Sequence, residues 1–179
     1  STFAGSGVQG SADGTGTAAT FKYPRGIVTD GTNLYVVDAF NHKIRKIVIA
    51  TGVVSTFAGS GSSGSADGTG TAATFKYPME IATDGTNLYV VGNSNHIIRK
   101  IVISTRAVTT LAGSAGSSGS TDGTGTAARF YGPYGIATDG TNLYVSEDGN
   151  HKIRKIVIST GVVTTLAGSG SAGFADGTG

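Results

Sequence analysis

The segment Pro24 to Gly59, PRGIVTDGTNLYVVDAFNHKIRKIVIATGVVSTFAG, returns with few changes at Pro78 to Gly113 and at Pro133 to Gly168. No other feature limits the fold so strongly. A chain that writes one segment three times folds as three copies of one supersecondary unit, and each copy buries its apolar surface against the next. His42, His96 and His151 mark the copies at spacings of 54 and 55 residues, so the register slips by a single residue.

Within a copy, the spacing predicts four short strands. Gly26 to Asp30 is the first, and Asp30-Gly31-Thr32-Asn33 carries the Asp-Gly signal of a tight hairpin. Leu34 to Asp38 follows. Ala39-Phe40-Asn41 interrupts the β-branched run, and His42 to Ile49 resumes it. Thr51-Gly52 turns the chain into the fourth strand, Val53 to Ala58. Arg106 stands where the other copies have Gly52 and Gly161, so a glycine-only backbone angle is not expected there. The connecting GSGSSGSADGTGTAATFKYP opens in a flexible composition, then offers one helical turn over Thr71 to Phe75. Phe21, Phe75 and Phe130 are expected to pin these connections to the sheets. The boundaries are an outer strand and linker at 1–23, blades at 24–59, 78–113 and 133–168, linkers at 60–77 and 114–132, and a partial linker at 169–179.

Composition narrows the function classes. Thirty Gly and a charged fraction of 13%, against a usual value of about 25%, describe a turn-rich all-β protein. A net charge of +2 does not call for nucleic acid or a membrane surface. With no Cys there is no disulfide, thiolate nucleophile or cysteine metal site. No apolar run approaches the roughly 18 residues of a membrane span. The chain starts at Ser1 without an initiator Met or a signal peptide, which reads as a mature or excised piece.

Four-stranded units joined by long loops and stacked face to face are the pattern of a β-propeller. Three residue groups carry a resemblance to the NHL repeat family: Pro24-x-Gly26-Ile27, the strand Leu34-Tyr35-Val36-Val37-Asp38, and Asn41-His42-x-Ile44 with its copies at Asn95-His96-x-Ile98 and Asn150-His151-x-Ile153. The form with DGTGTAATF, NLYV and NHKIRKI is similar to the bacterial branch, many of whose members are exported. The resemblance implies six blades and an extracellular or periplasmic location. It does not specify a function.

Closed propellers use about 4 to 8 blades, so three blades leave two open sheet faces. Two copies closing head to tail as a homodimer, or an excerpt from a longer chain, would cover them. Residues 1–16 and 164–179 are the same stretch of the repeat in the same phase. The Ser1 to Gly5 strand of one chain and Thr164 to Gly168 of another would therefore compete for one slot, a redundancy that points to an excised or engineered fragment.

The copies differ where geometry leaves positions free: Arg25/Met79/Tyr134, Gly26/Glu80/Gly135, Lys22/Lys76/Tyr131, Asp38/Gly92/Glu147 and Phe40/Ser94/Gly149. All fall before the first strand or after the second, on one side of a blade. Arg25, Met79, Glu80, Tyr134, Asp38, Phe40 and Glu147 are therefore the candidate binding rim. The three histidines suggest a three-His zinc site, but each opens the third strand, too far from the axis to share an ion. The motif pairs Asn41-His42, Asn95-His96 and Asn150-His151 are assigned a structural role, closing the turn through side-chain hydrogen bonds.

Asp13, Asp67, Asp122 and Asp176 supply one carboxylate per loop, short of a calcium pattern, and are expected to form turns. The Arg-Lys pairs at 45–46, 99–100 and 154–155 alternate with isoleucine. That suits solvated side chains or inter-blade hydrogen bonds better than an RNA groove, although some animal NHL propellers bind RNA.

The favoured function is non-catalytic recognition of a protein, peptide or glycan, with no cofactor. The rival is a metal-dependent lyase or hydrolase using Asp38, Glu80 and Glu147, as in zinc lyases and calcium-dependent hydrolases that resemble this family. A third reading is a structural repeat module without a ligand of its own.

Overall fold

The computed structural model describes residues 1–174 and 176–177, and its regular structure is strand interrupted by single turns of 3-10 helix. The first blade holds β1 (Gly14–Thr15), β2 (Pro24–Thr29), β3 (Asn33–Asp38), β4 (Lys43–Val48) and β5 (Val53–Ala58). The second holds β6 (Gly68–Thr69), β7 (Pro78–Thr83), β8 (Asn87–Gly92), β9 (Ile97–Val102) and β10 (Ala107–Ala112). The third holds β11 (Gly123–Thr124), β12 (Pro133–Thr138), β13 (Asn142–Glu147), β14 (Lys152–Val157) and β15 (Val162–Ala167). Strand order is β1-β5-β4-β3-β2 and its two repeats, antiparallel throughout. The four long strands stand as expected in each blade. The fifth, of two residues, comes from the preceding linker and pairs with the outer strand, so each sheet is five-stranded. Among the described residues no helix is long and apolar enough to cross a membrane.

The hairpins follow from the Asp-Gly signal. Asp30 Oδ1 accepts the backbone N–H of Thr32 and of Asn33 at 2.9 and 2.7 Å, Asp30 Oδ2 accepts the Tyr35 hydroxyl at 2.9 Å, and Gly31 takes φ 89°. Asp84 and Asp139 repeat the arrangement. Burial alone would raise the Asp30 pKa, but the hydrogen bonds from Asn33, Thr32 and Tyr35 outweigh it and hold the carboxyl at about 2.

The second turn differs from expectation. Gly52, Arg106 and Gly161 all have left-handed φ, at 67°, 58° and 69°. The hairpin demands that angle in every copy, because the residue's N–H must reach back to the carbonyl of Val48, Val102 or Val157 at 2.8 Å. Arg106 therefore holds a strained conformation in the middle copy.

Consecutive blades approach most closely along β2, β7 and β12, which makes these the innermost strands. Between the first two blades, Tyr35, Val37, Ile44, Phe57 and Ala58 pack on Phe75, Ile81, Leu88, Val90 and Ile101. Between the second and third, Tyr89, Val91, Ile98 and Ala112 meet Phe130, Leu143, Val145 and Ile156 in the same way.

The linkers fold back on themselves despite their composition. A 3-10 turn spans Gly70–Ala72, one residue ahead of the expected position. Gly59 and Ser60 donate to the carbonyls of Gly70 and Ala73, and Gly64 to that of Phe75. Phe75 and Phe130 are buried as expected, each beneath a guanidinium 5.2 Å from its ring centroid.

Those guanidiniums correct the reading of the third strand. Arg45, Arg99 and Arg154 are not solvated; they are the largest fully buried side chains of the protein. Arg45 pairs with Asp13 at 2.7 Å, Arg99 with Asp67 at 2.9 Å and Arg154 with Asp122 at 2.7 Å. Each also donates to two linker carbonyls, which for Arg45 are Thr20 and Ala12. The ADGTG and TDGTG aspartates thus clamp each linker to its blade, beyond the turn-forming role expected of them. A further difference lies at the start of the chain: residues 1–5 form no strand, and instead Gly5 donates to the Gly16 carbonyl while Ala4 packs on Val36, Ile47 and Val54 of the first blade.

Candidate binding surface

In each blade the innermost hairpin slips by one residue. The register passes from Pro24 opposite Asp38 to Ile27 opposite Val36, and likewise from Pro78 to Ile81 and from Pro133 to Ile136. Such a bulge re-aims the side chains it carries. Its two residues are Arg25-Gly26, Met79-Glu80 and Tyr134-Gly135, the positions at which the copies differ. Arg25, Gly26, Met79, Glu80 and Tyr134 together line one cavity of about 220 Å³ at the inner strands. Four candidates read from the sequence therefore meet at one place. Glu80 Oε1 accepts the N–H of Ile81 at 3.2 Å, and a side chain at Gly26 would collide with this carboxylate. The small residue in one blade makes room for the acid of the next.

Phe40 lies outside this cavity, in an exposed aromatic cluster. Its ring centroid is 4.5 Å from Tyr23 and 5.2 Å from Tyr77, and the Tyr77 ring meets His42 edge-on at 4.7 Å. Sequence reasoning missed Tyr23 and Tyr77. Both stand before a proline in Lys-Tyr-Pro, and both have left-handed φ, 52° and 42°. In the third blade the tyrosine moves one place to Tyr131, and Gly132 takes the left-handed position with φ 61°. A bulky residue in that region is a strained one.

Asp38 and Glu147 are not on the rim. Both are buried, Asp38 2.9 Å from Arg45 Nη1 and Glu147 2.9 Å from Arg154 Nη1. Asp38 also accepts the N–H of Lys22 at 2.8 Å and the Asn41 amide at 2.9 Å; Glu147 accepts the N–H of Tyr131 at 2.7 Å and the Asn150 amide at 2.9 Å. A carboxylate that neutralises a buried cation and accepts two further hydrogen bonds is part of the interior. These residues vary because two copies complete the cluster and one does not. Gly92 has no carboxylate, Asn95 occupies the vacated space, and the Asn95 amide oxygen is buried without a partner.

The motif pairs divide their labour. Asn41 and Asn150 close the turn as expected, each also donating to a linker carbonyl, that of Gly10 or Gly119. The histidines close the backbone rather than the side-chain network, with left-handed φ of 55°, 59° and 51°. The imidazoles of His42 and His96 reach to the next blade. His42 Nδ1 accepts the N–H of Tyr77 at 3.2 Å, and His96 Nδ1 that of Gly132 at 3.4 Å. Burial lowers the His42 pKa from its ordinary 6.5, helped by the nearby Lys22 charge and opposed by the Ala39 carbonyl, so the ring is held in the neutral form that can accept. Among the described residues no group of three or more His, Cys, Asp or Glu is placed to hold a metal ion.

No protein-family model matches the chain. It is 30% identical over 98% of its length to the chloroplastic protein SUPPRESSOR OF QUENCHING 1 of Arabidopsis thaliana, and 29% identical over 74% of its length to human NHL repeat-containing protein 2. These alignments cover 18% and 20% of the two relatives, so the chain spans about a fifth of their length. Among solved structures, an auxiliary nutrient binding protein from Bacteroides thetaiotaomicron superposes with a TM-score of 0.60 at 20% identity, over 76% of this chain and 33% of that one. Virginiamycin B lyase from Staphylococcus aureus gives 0.55 at 22% identity, over 79% and 40%. At such identities the structures share a fold.

Proposed function

Starting from the fact that the chain belongs to the NHL repeat family of β-propellers, we propose that it is a non-catalytic recognition module whose ligand, a peptide or glycan segment, enters at the inner bulges. One observation carries this reading. Arg25, Met79, Glu80 and Tyr134, scattered over 110 residues of sequence and different in each copy, converge on a single cavity while the surrounding framework repeats almost unchanged. A cation, an acid, a thioether and a phenol at one mouth supply the mixed polar and apolar contacts by which small sites orient a ligand. The exposed ring of Phe40, with Tyr23 and Tyr77, offers a separate stacking surface.

The metal-dependent lyase or hydrolase draws less support. It needs Asp38, Glu80 and Glu147 free at the channel, and two of the three neutralise buried arginines. Array screening against peptides and glycans, followed by titration calorimetry of the hits, tests the proposal. Arg25→Ala and Tyr134→Ala are expected to weaken a hit at least tenfold and leave the melting temperature in place, because both side chains are exposed. Binding unchanged in both variants refutes the site.

A further inference from the structure

The two outer faces of the three-blade array are the two halves of its own internal interface. Ile27 on the first blade is 55% exposed, while its copy Ile81, packed against the preceding blade, is 3% exposed. At the other end Ile153 is 38% exposed, while Ile44 and Ile98 are 0%. Leu166 is likewise 45% exposed where Phe57 is 6%. Each interface inside the chain joins the Ile44-type face of one blade to the Ile81-type face of the next. The third blade presents the first kind uncovered; on the first blade, Phe3 and Ala4 lie beside a still half-exposed Ile27, at the place Phe57 and Ala58 take on the second blade.

We propose that a second copy of this chain covers both faces at once, third blade to first blade in each direction, its Leu166 and Ala167 displacing Phe3 and Ala4 from the first-blade face, and so closes a six-bladed ring. Closure by copies of a three-blade unit gives multiples of three, and six is the only multiple within the range of about 4 to 8 blades that rings adopt. The partner is therefore one further chain related by a two-fold axis, joined through two identical head-to-tail interfaces rather than through one self-complementary patch.

The polar groups at the open faces match as well. His42 and His96 each accept an N–H from the next blade, at Tyr77 and Gly132. Among the described residues the His151 imidazole accepts none. Tyr23, the equivalent of Tyr77 and Gly132, already has the left-handed φ of 52° that aims its N–H outward in those copies. On closure, His151 Nδ1 of one chain receives the Tyr23 N–H of the other. Asn93 reaches the Pro133 carbonyl across the internal interface at 3.1 Å. Its copy on the third blade is Asp148, exposed, and the matching position on the first blade is Pro24 with Arg25 beside it. An acid on one chain thus faces a base on the other at this position. The ring also completes the inner mouth, placing Tyr134 of each chain next to Arg25 of the other.

Light scattering across a dilution series, with the intact chain, reads the outcome directly. Twice the chain mass of 17.8 kDa is expected; a single-chain mass throughout overturns the proposal. Ile27→Asp and Ile153→Asp should each give folded single chains, since neither side chain is needed inside a monomer, with far-UV dichroism confirming the fold. Mixed together, the two variants should recover a two-chain mass. The wild-type third blade of the first then meets the wild-type first blade of the second. An isologous dimer cannot complement in this way, so a mixture that stays at single-chain mass refutes the head-to-tail arrangement. His151→Ala is expected to raise the dimer dissociation constant about 10- to 30-fold, through one hydrogen bond lost at each of two interfaces. His42→Ala should destabilise the chain without that selective effect. If the two substitutions act alike on dimerisation, the assignment of His151 as the latch fails.

Discussion

The middle blade makes a natural deletion experiment of the buried arginine cluster, and it can be run in both directions. In the first blade Asp38 accepts three hydrogen bonds, from Arg45, the Lys22 N–H and the Asn41 amide, all between 2.8 and 2.9 Å. Asp38→Ala leaves those donors buried. Removing one partner of a buried pair costs about 3–5 kcal/mol, and Arg45 keeps Asp13 and two carbonyls, so the lower figure of about 3 kcal/mol applies. For a chain of this size that is roughly 6–12 °C in melting temperature. Gly92→Asp is the reverse change. Arg99 is already buried, so the new carboxylate brings only its own desolvation and gains a cation and at least one amide. Its Cβ would collide with the Asn95 amide oxygen, so Asn95 must turn to the place held by Asn41, which also relieves its unpartnered oxygen. A net gain of about 1–2 kcal/mol is expected, on the scale of charge-assisted hydrogen bonds less desolvation. Thermal and urea unfolding followed by dichroism at pH 7 measure both variants. Should Asp38→Ala cost less than about 0.5 kcal/mol, or Gly92→Asp destabilise, the view that these carboxylates neutralise the interior is wrong.

Three further outcomes follow from particular positions. Arg106→Gly removes a side chain from a left-handed residue at φ 58°, and should stabilise by about 1 kcal/mol in urea unfolding; a loss would show that the Arg106 side chain makes compensating contacts. Phe75→Ala empties a buried site between the first two blades and beneath Arg99, and is expected to cost about 3–5 kcal/mol by the same measurement. His42 has a folded pKa below its ordinary 6.5 because burial disfavours its charge, so its contribution is fully present above about pH 6.5 and is lost as pH falls through the lower folded value. Melting temperatures between pH 7 and 5 should fall less steeply in His42→Asn, which tolerates the left-handed angle and does not titrate; parallel curves would exclude His42 as a source of the slope.

The hairpins, strand order and blade count were legible because their determinants are local: Asp-Gly pairs, β-branched runs and a period written three times. The arginine clamps were not. Arg45 and Lys46 are adjacent and alike on the page, and what separates them is a partner 32 residues away in a glycine-rich linker. No periodicity reports that distance. Arg106 misled for a different reason: the usual substitution rule says that a non-glycine marks an ordinary angle, whereas the backbone bond to Val102 imposes the left-handed one. The inner mouth was half legible. Variation among copies located Arg25, Met79, Glu80 and Tyr134, yet the same signal swept in Asp38 and Glu147, whose variation is internal.

That distinction narrows the site further, because some of the exposed variation is also explained by packing. Phe40 fills the space between Tyr23 and Tyr77. In the third blade its counterpart is Gly149, and a Cβ there would lie 2.6 Å from the Tyr131 ring, so Tyr131 has taken the room that Phe40 occupies in the first blade. Between the first and third copies the 22/131 and 40/149 positions therefore change together to keep one volume filled. No such exchange links Arg25, Met79 and Tyr134, which differ in charge, shape and polarity while sharing one backbone bulge and one cavity. Variation that neither an ion pair nor a packing exchange accounts for remains at the inner mouth. If the module binds as proposed, a ligand that tells one face of it from another reads its identity from those side chains.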